Sequence, residues 1–362
     1  MRAAAGTAAL LALALAGGAL GCGGTRTTAV ATAPASADAP ATGTLRVFAY
    51  EDSVDEEMLA PFKAANPDVT VKTATFDSNE EAAAKLRGGF EADVVEVCLD
   101  EIRPLTATGQ LRPLEEAGIP GFERIVPSMR DADGVRDAEG RLMVVPLEAG
   151  PEGLIYNTEK LPRGIDEFAD LYDPALAGNV ALEGDIPLPT IAETALALGI
   201  RDPLTLSDAQ LDRVMAHIAE HRDGIRAFWQ SDADAVNLMK SGEVIAMNGG
   251  RGLAFQLREA GVPVRWVRAR EGLITWVCGF GIASSAKNVP AAYKLVNYLL
   301  SKPAQALRAR NGYVVTTPDA LSLVGPEVRR TADPAVLEGA IAEEEPQDYD
   351  RWTRAWARLQ AG

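Results

Sequence analysis

From Leu45 onward the chain exchanges short apolar runs with segments of helical period, and this alternation restricts it to an α/β architecture. Leu45-Arg46-Val47-Phe48-Ala49 reads as a buried strand, after which Val54, Met58, Leu59 and Phe62 recur at helical spacing. Ser53 with Glu56 three residues later has the form of a capping box, so a helix is expected to open just after Asp52. Asn66-Pro67 closes it, because proline disfavours helical backbone in the residue before it. Residues 69–76 form the next predicted strand, 79–87 a helix and 93–97 a third strand. A βαβαβ run predicts parallel strands with helices on the sheet faces, and such sheets take ligands beyond the carboxyl ends of their strands. Tyr50-Glu51-Asp52 and Cys98-Leu99-Asp100 fall at two of those ends.

The pattern continues past Gly140, with strands predicted at 142–146, 153–157, 180–183, 244–247, 264–267 and 275–282. Helices are predicted at 190–198, 207–221, 252–259 and 291–300, and the charged segment 130–140 reads as a surface loop. At 362 residues the chain exceeds what one core usually holds, so two lobes are expected. Its 47% hydrophobic and 24% charged residues are an ordinary globular composition, which excludes general disorder.

The N-terminus has a different character. Arg2 precedes a small-residue apolar run from Thr7 to Leu20, too short for a membrane span and suited to an export signal over residues 1–21. Ala19-Leu20-Gly21-Cys22 resembles a bacterial lipobox, which implies acylation of Cys22. Residues 23–44 carry almost no large apolar side chain, so 22–44 reads as a flexible tether. Loss of the signal removes one arginine of 35 basic residues against 51 acidic ones, a net charge of −17. That excess argues against nucleic acid or anionic lipid as a partner of the folded surface.

Few motifs carry chemistry. His217-Ile218-Ala219-Glu220-His221 matches the H-x-x-E-H form of inverted zinc peptidases, and a zinc hydrolase is the alternative class it raises. These are the only histidines, and a solvated helix face is the competing reading. Phosphate loops, nucleophile elbows and dinucleotide fingerprints are absent from the sequence. Gly249-Gly250-Arg251-Gly252 follows a predicted strand and opens a helix, either as a tight turn or as a clamp for a carboxylate through its amides and Arg251. Trp276 and Tyr313, flanked by small residues, suit a pocket wall or the core equally.

From Leu45 to about Pro318 the order of segments resembles the periplasmic spermidine/putrescine-binding family of ABC importers. The matching segments include Phe48-Ala49-Tyr50-Glu51-Asp52, Phe76-Asp77-Ser78-Asn79-Glu80, Asp93-Val94-Val95, Gly153-Leu154-Ile155-Tyr156-Asn157 and Ser241-Gly242-Glu243-Val244. Ile274-Thr275-Trp276, Ile282 to Asn288 and Ala291 to Leu300 complete the set. The resemblance implies a two-lobed periplasmic-binding-protein fold of type II, with the ligand cleft between lobes. Lobe one would hold 45–147 plus 273–320, and lobe two 148–272 plus 321–362.

It also implies a site that holds an amine by an aromatic box and by carboxylates at its ammonium groups. Tyr50 stands where the family usually has a tryptophan, Asp52 matches an acidic position with Glu51 beside it, Trp276 matches a box tryptophan and Tyr313 an aromatic. Cys278 replaces the family's ammonium-binding aspartate, Gly250 another box tryptophan and Asp100 a tyrosine. Glu183 and Asp185 are nearest to the lobe-two acids. Cys98 and Cys278 line the ligand site in relatives, and a disulfide between them or two separate buried thiols are the open alternatives. The expected protein is a monomeric, lipid-anchored binding protein at the periplasmic or cell surface. It delivers a polyamine or related amine to an ABC permease without cofactor, metal or catalysis. A carboxylate-bearing or zwitterionic solute held by Arg251 is the alternative ligand.

Overall fold

The computed structural model describes residues 40–361 apart from Asp77, so the expected export signal, Cys22 and most of the expected tether lie outside the described residues. Twelve strands form among the described residues. They are β1 (Gly43–Ala49), β2 (Val69–Thr75), β3 (Val94–Cys98), β4 (Leu111–Arg112), β5 (Val145–Asn157) and β6 (Val180–Glu183). The rest are β7 (Ile225–Trp229), β8 (Ala246–Gly250), β9 (Val264–Val267), β10 (Ile274–Ala283), β11 (Val314–Val315) and β12 (Ile341–Ala342). They join in the order β2-β1-β3-β10-β5-β8-β6-β7, with β4 and β12 against β10 and β9 and β11 against β5.

Parallel pairing holds at both ends of this sheet, where β1 lies beside β2 and β3, and β6 beside β7 and β8. The middle departs from the parallel expectation. β10 runs antiparallel to β3 and β5, and β5 antiparallel to β8. The two strands predicted at 142–146 and 153–157 are largely one strand of 13 residues, all of them buried. Gly150 and Pro151 do not divide it, because residues 148–152 pair in register with Cys278 to Ile274 of β10. Pro146 is accommodated where that register shifts, a place for a residue with no N–H to donate.

Helices Asn79–Arg87, Asp208–Glu220, Arg251–Glu259 and Val289–Leu299 lie where the apolar period puts them. The capping box at Ser53 does not form. Helix Glu56–Ala65 is capped by Asp55, whose carboxylate accepts from the Met58 amide at 2.7 Å, and Ser53 Oγ donates instead to Glu96.

Two main apolar cores lie along the sheet. One includes Leu45, Phe48, Phe62, Val94, Phe280 and Leu295, and the other Leu154, Phe168, Ile191, Val214, Trp352 and Trp356. Both long strands run from one core to the other: Ala149 and Val277 belong to the first, Leu154 and Ile274 to the second. Residues 321–332, expected with lobe two, contribute Leu321, Val324 and Ala332 to a small cluster against Ala306 and Ala309 of helix Lys302–Arg310. Helix Tyr349–Ala361 then closes the second core through Trp352 and Trp356.

Candidate functional site

Between the two cores, β5 presents Gly150-Pro151-Glu152-Gly153 opposite Trp276-Thr275-Ile274 of β10. Trp276 lies across its register partner Gly150, where a Cβ would meet the indole at 2.1 Å, so only glycine admits the ring. Tyr313 meets Trp276 edge-on with 5.7 Å between ring centres. The Trp276 indole N–H donates to the Glu152 carboxylate. A Cβ on Gly250 would stand 3.2 Å from Glu152 Oε1, which packs this side chain against the end of β8. Trp276 and Tyr313 are both half-buried and in contact, so together they form an aromatic wall beside Glu152.

The acids around this wall are the unusual part. Glu152 and Glu183 are 5% and 7% exposed, and each has one carboxylate oxygen with no hydrogen-bond partner in the protein. Burial pushes Glu152 up to about 8, against the indole bond that favours its ionised form, with Asp232 and Asp185 adding repulsion. Burial likewise holds Glu183 well above the usual carboxylate range, reinforced by Asp185, Glu152, Glu193 and Glu343. Glu193, raised for the same reason, receives a bond from Asn248 Nδ2 at 2.6 Å. Asp100, in the turn after β3, is pushed up to about 6 by burial, with the Glu345 charge adding to it. β12 pairs with β10, and the Glu343 amide donates to the Thr275 carbonyl, which brings the C-terminal acids to the same strands.

On the other side of the wall the buried charge is matched. Glu148 of β5 forms an ion pair with Arg308 of helix Lys302–Arg310, and both side chains are almost fully buried. Arg308 Nη1 also donates to Ser53 Oγ at 3.3 Å, Ser53 Oγ donates to Glu96 Oε1 at 2.8 Å, and the Tyr50 amide donates to Glu96 Oε2 at 3.0 Å. This chain of bonds pins the turn after β1. Tyr50 is half-buried with its ring against Phe76 at 4.6 Å, Glu51 is exposed, and Asp52 lies in the same turn Glu51–Ser53. Cys98 and Cys278 are disulfide-bonded register partners on β3 and β10, and Glu148 faces Cys278 from β5.

Arg251 is 8% exposed at the start of helix Arg251–Glu259, and burial lowers it to about 10. Its Nε and Nη2 donate to the Gly312 carbonyl at 3.4 Å, and its guanidinium lies 5.9 Å from the Trp266 ring centre. Asp185 is half-buried beside the acids. Glu152, Glu343 and Glu345 were missed by sequence reasoning; a lone acid inside the apolar, glycine-rich run 149–155 was the available signal for Glu152.

The two histidines pack as an aromatic cluster on helix Asp208–Glu220 and its end. Their rings are 4.3 Å apart and both pack edge-on against Tyr172, while His221 Nδ1 is bonded to the His217 carbonyl oxygen at 2.8 Å. No three His, Cys, Asp or Glu side chains among the described residues are placed to hold a metal ion. Among the described residues the two histidines have no third ligand of the kind a zinc hydrolase needs.

Two α/β cores joined by crossing strands, with buried acids near the crossing, make up a two-lobed fold. The model of the bacterial extracellular solute-binding protein family matches residues 57–337, and the chain belongs to that family. It is 26% identical over 313 residues to spermidine/putrescine-binding periplasmic protein 1 of Haemophilus influenzae, covering 84% of each chain. The putrescine-binding periplasmic protein PotF of Escherichia coli is also 26% identical, over 88% of this chain and 92% of its own. The spermidine/putrescine ABC transporter substrate-binding protein PotD of Streptococcus pneumoniae shares the fold, with a TM-score of 0.74 at 21% identity over 88% of this chain and 98% of its own. Extracytoplasmic binding of a small solute is thus this protein's role, and no described helix is long and apolar enough to cross a membrane.

Proposed function

We propose that the protein is a lipid-anchored receptor of an ABC importer that captures a polyamine or related small amine and passes it to a membrane permease. One observation carries the amine reading. Glu152 and Glu183 each bury an oxygen without a partner, and the charged side chains whose fields reach them are acidic. An organic ammonium placed between them supplies both the missing donors and the missing charge, while Trp276 and Tyr313 cover its methylenes. Tyr50, Glu51, Asp52, Asp100 and Asp185 extend the site along the cleft, and Cys98 and Cys278 line its wall as a disulfide.

In this reading lobe one comprises 45–147 and 273–320 with 321–332 added to it, and lobe two the remainder of the folded chain. Cys22 carries the lipid and 22–44 the tether. The protein works as a monomer without catalysis, cofactor or nucleic acid, in keeping with a net charge of −16 for the whole chain.

A thermal-shift screen with spermidine, putrescine, amino acids, dicarboxylates and calcium tests the ligand, since a solute that binds only the folded state raises its melting temperature. Spermidine or putrescine should raise it, and Glu152→Gln with Glu183→Gln should remove the rise. A response to dicarboxylates with none to amines would overturn the reading. A zwitterionic solute is the second reading, because Arg251 is a buried cation whose bonds to Gly312 are long. An amino acid that displaces putrescine, and is itself lost with Arg251→Met, would replace the polyamine.

A further inference from the structure

We infer that Glu152 and Glu183 are a proton-exchanging pair: they carry protons when the site is empty and release them as an ammonium group takes their place. The inference rests on the amine reading and adds how the site manages its charge. Glu152 lies on β5 and Glu183 at the end of β6, both more than nine-tenths buried, with one oxygen each unbonded.

The groups that face them come from several elements. Asp185 follows β6, Asp232 opens helix Asp232–Ser241, Glu193 lies on helix Pro187–Ala197, and Glu343 follows β12. Glu271 bears on Glu193 in turn. The polar donors are the Trp276 indole to Glu152, the Asn248 amide to Glu193, and Gln256 Nε2 to Asp232 at 2.6 Å. Arg251 adjoins Gly250, which touches Glu152, yet its guanidinium is bonded to Gly312 and lies over Trp266. Among the described residues neither glutamate forms an ion pair with an arginine or lysine.

A carboxylate buried among like charges without a cation is neutralised by a proton. The raised position of Glu152, about 8, agrees with that geometry. An ammonium group brings its own charge and three donors, so it stabilises the ionised form and expels the proton. The protein then exchanges protons for cation, and linkage requires its affinity to rise with pH.

Calorimetric titration with putrescine and spermidine tests this, in phosphate and in Tris at pH 7, two buffers that differ in ionisation enthalpy. At pH 7 the amines carry their protons, so protons released there come from the protein. Expected are a buffer-dependent heat that reports about one or more protons released per solute, and an affinity rising roughly tenfold per pH unit for each proton between pH 6 and 8. Glu152→Gln should lose about one proton of the release and flatten the pH profile. Tight amine binding with the same heat in both buffers and a flat profile overturns this inference and leaves the amine reading intact. No amine binding from pH 5.5 to 9 overturns the amine reading, and the exchange with it. The wild-type buffer comparison decides the matter even where the variant fails to fold.

Discussion

β5 carries two buried glutamates four residues apart, Glu148 and Glu152, and the protein treats them oppositely. Glu148 meets Arg308, which also bonds Ser53 and through it Glu96, so the charge is matched and the groups hold the turn after β1 in place. Glu152 meets the Trp276 indole and otherwise faces acids. Burial is nearly equal, at 4% and 5% exposure, and therefore does not distinguish a matched acid from an unmatched one. Compensation does: a paired buried charge is complete, whereas an unpaired one is complete only with a proton or a ligand.

The largest expected effect breaks the matched side. Arg308→Met leaves Glu148 buried without its cation and should cost about 3–5 kcal/mol in urea unfolding. Arg308→Met with Glu148→Leu should recover most of that loss. If the double variant is no more stable than the single, the pair is not the cause.

The disulfide reinforces the same side, since Cys278 is opposite both Cys98 and Glu148. It closes a span of 180 residues that contains all of β5. Cys98→Ser with Cys278→Ser should cost about 2–4 kcal/mol, mainly through the unfolded chain. Thiol titration of the unreduced, denatured domain should find neither cysteine free, and two free thiols would contradict the bond.

The unmatched side should respond with the opposite sign. A raised carboxyl binds its proton more tightly in the native than in the unfolded chain. Its contribution to stability is full below the ordinary value of 4.5 and is lost as pH climbs through about 8. Ligand-free protein should therefore weaken between about pH 5 and 8. Glu152→Gln should reduce the slope and be more stable than wild type at pH 8 by on the order of 1–3 kcal/mol. A variant with unchanged pH dependence would place Glu152 among the matched acids after all.

The smallest effect concerns the wall between the two glutamates. Trp276→Ala should lower amine affinity by about 1–2 kcal/mol, roughly 5- to 30-fold, with little change in unfolding free energy because the ring is half-buried. Solute binding to wild type should also change tryptophan fluorescence. A large loss of stability with unchanged affinity would return Trp276 to the core.

Much of the scaffold was readable residue by residue. The apolar periods located helices Asp208–Glu220 and Arg251–Glu259 and strand β9 to within a residue or two, because those signals are local. Helix Tyr349–Ala361 was not recognised, since its buried face rests on Trp352 and Trp356 within a polar segment whose docking surface is remote in sequence. Trp276, Tyr313 and the cysteine pair stand out in the sequence, while Glu152 and Glu343 do not. An aromatic among glycines stands out in one dimension, and a glutamate does not.

The sequence by itself determined the α/β alternation, the placement of six of the twelve described α-helices and the family, since each depends on local period or on the order of segments along the chain. Tertiary structure decided that β5 is one strand, that Cys98 meets Cys278, and that Glu148 is neutralised while Glu152 is not. Those outcomes depend on which distant strands become neighbours. Charge compensation is set within a few ångströms of space, a distance that spacing along the chain does not encode.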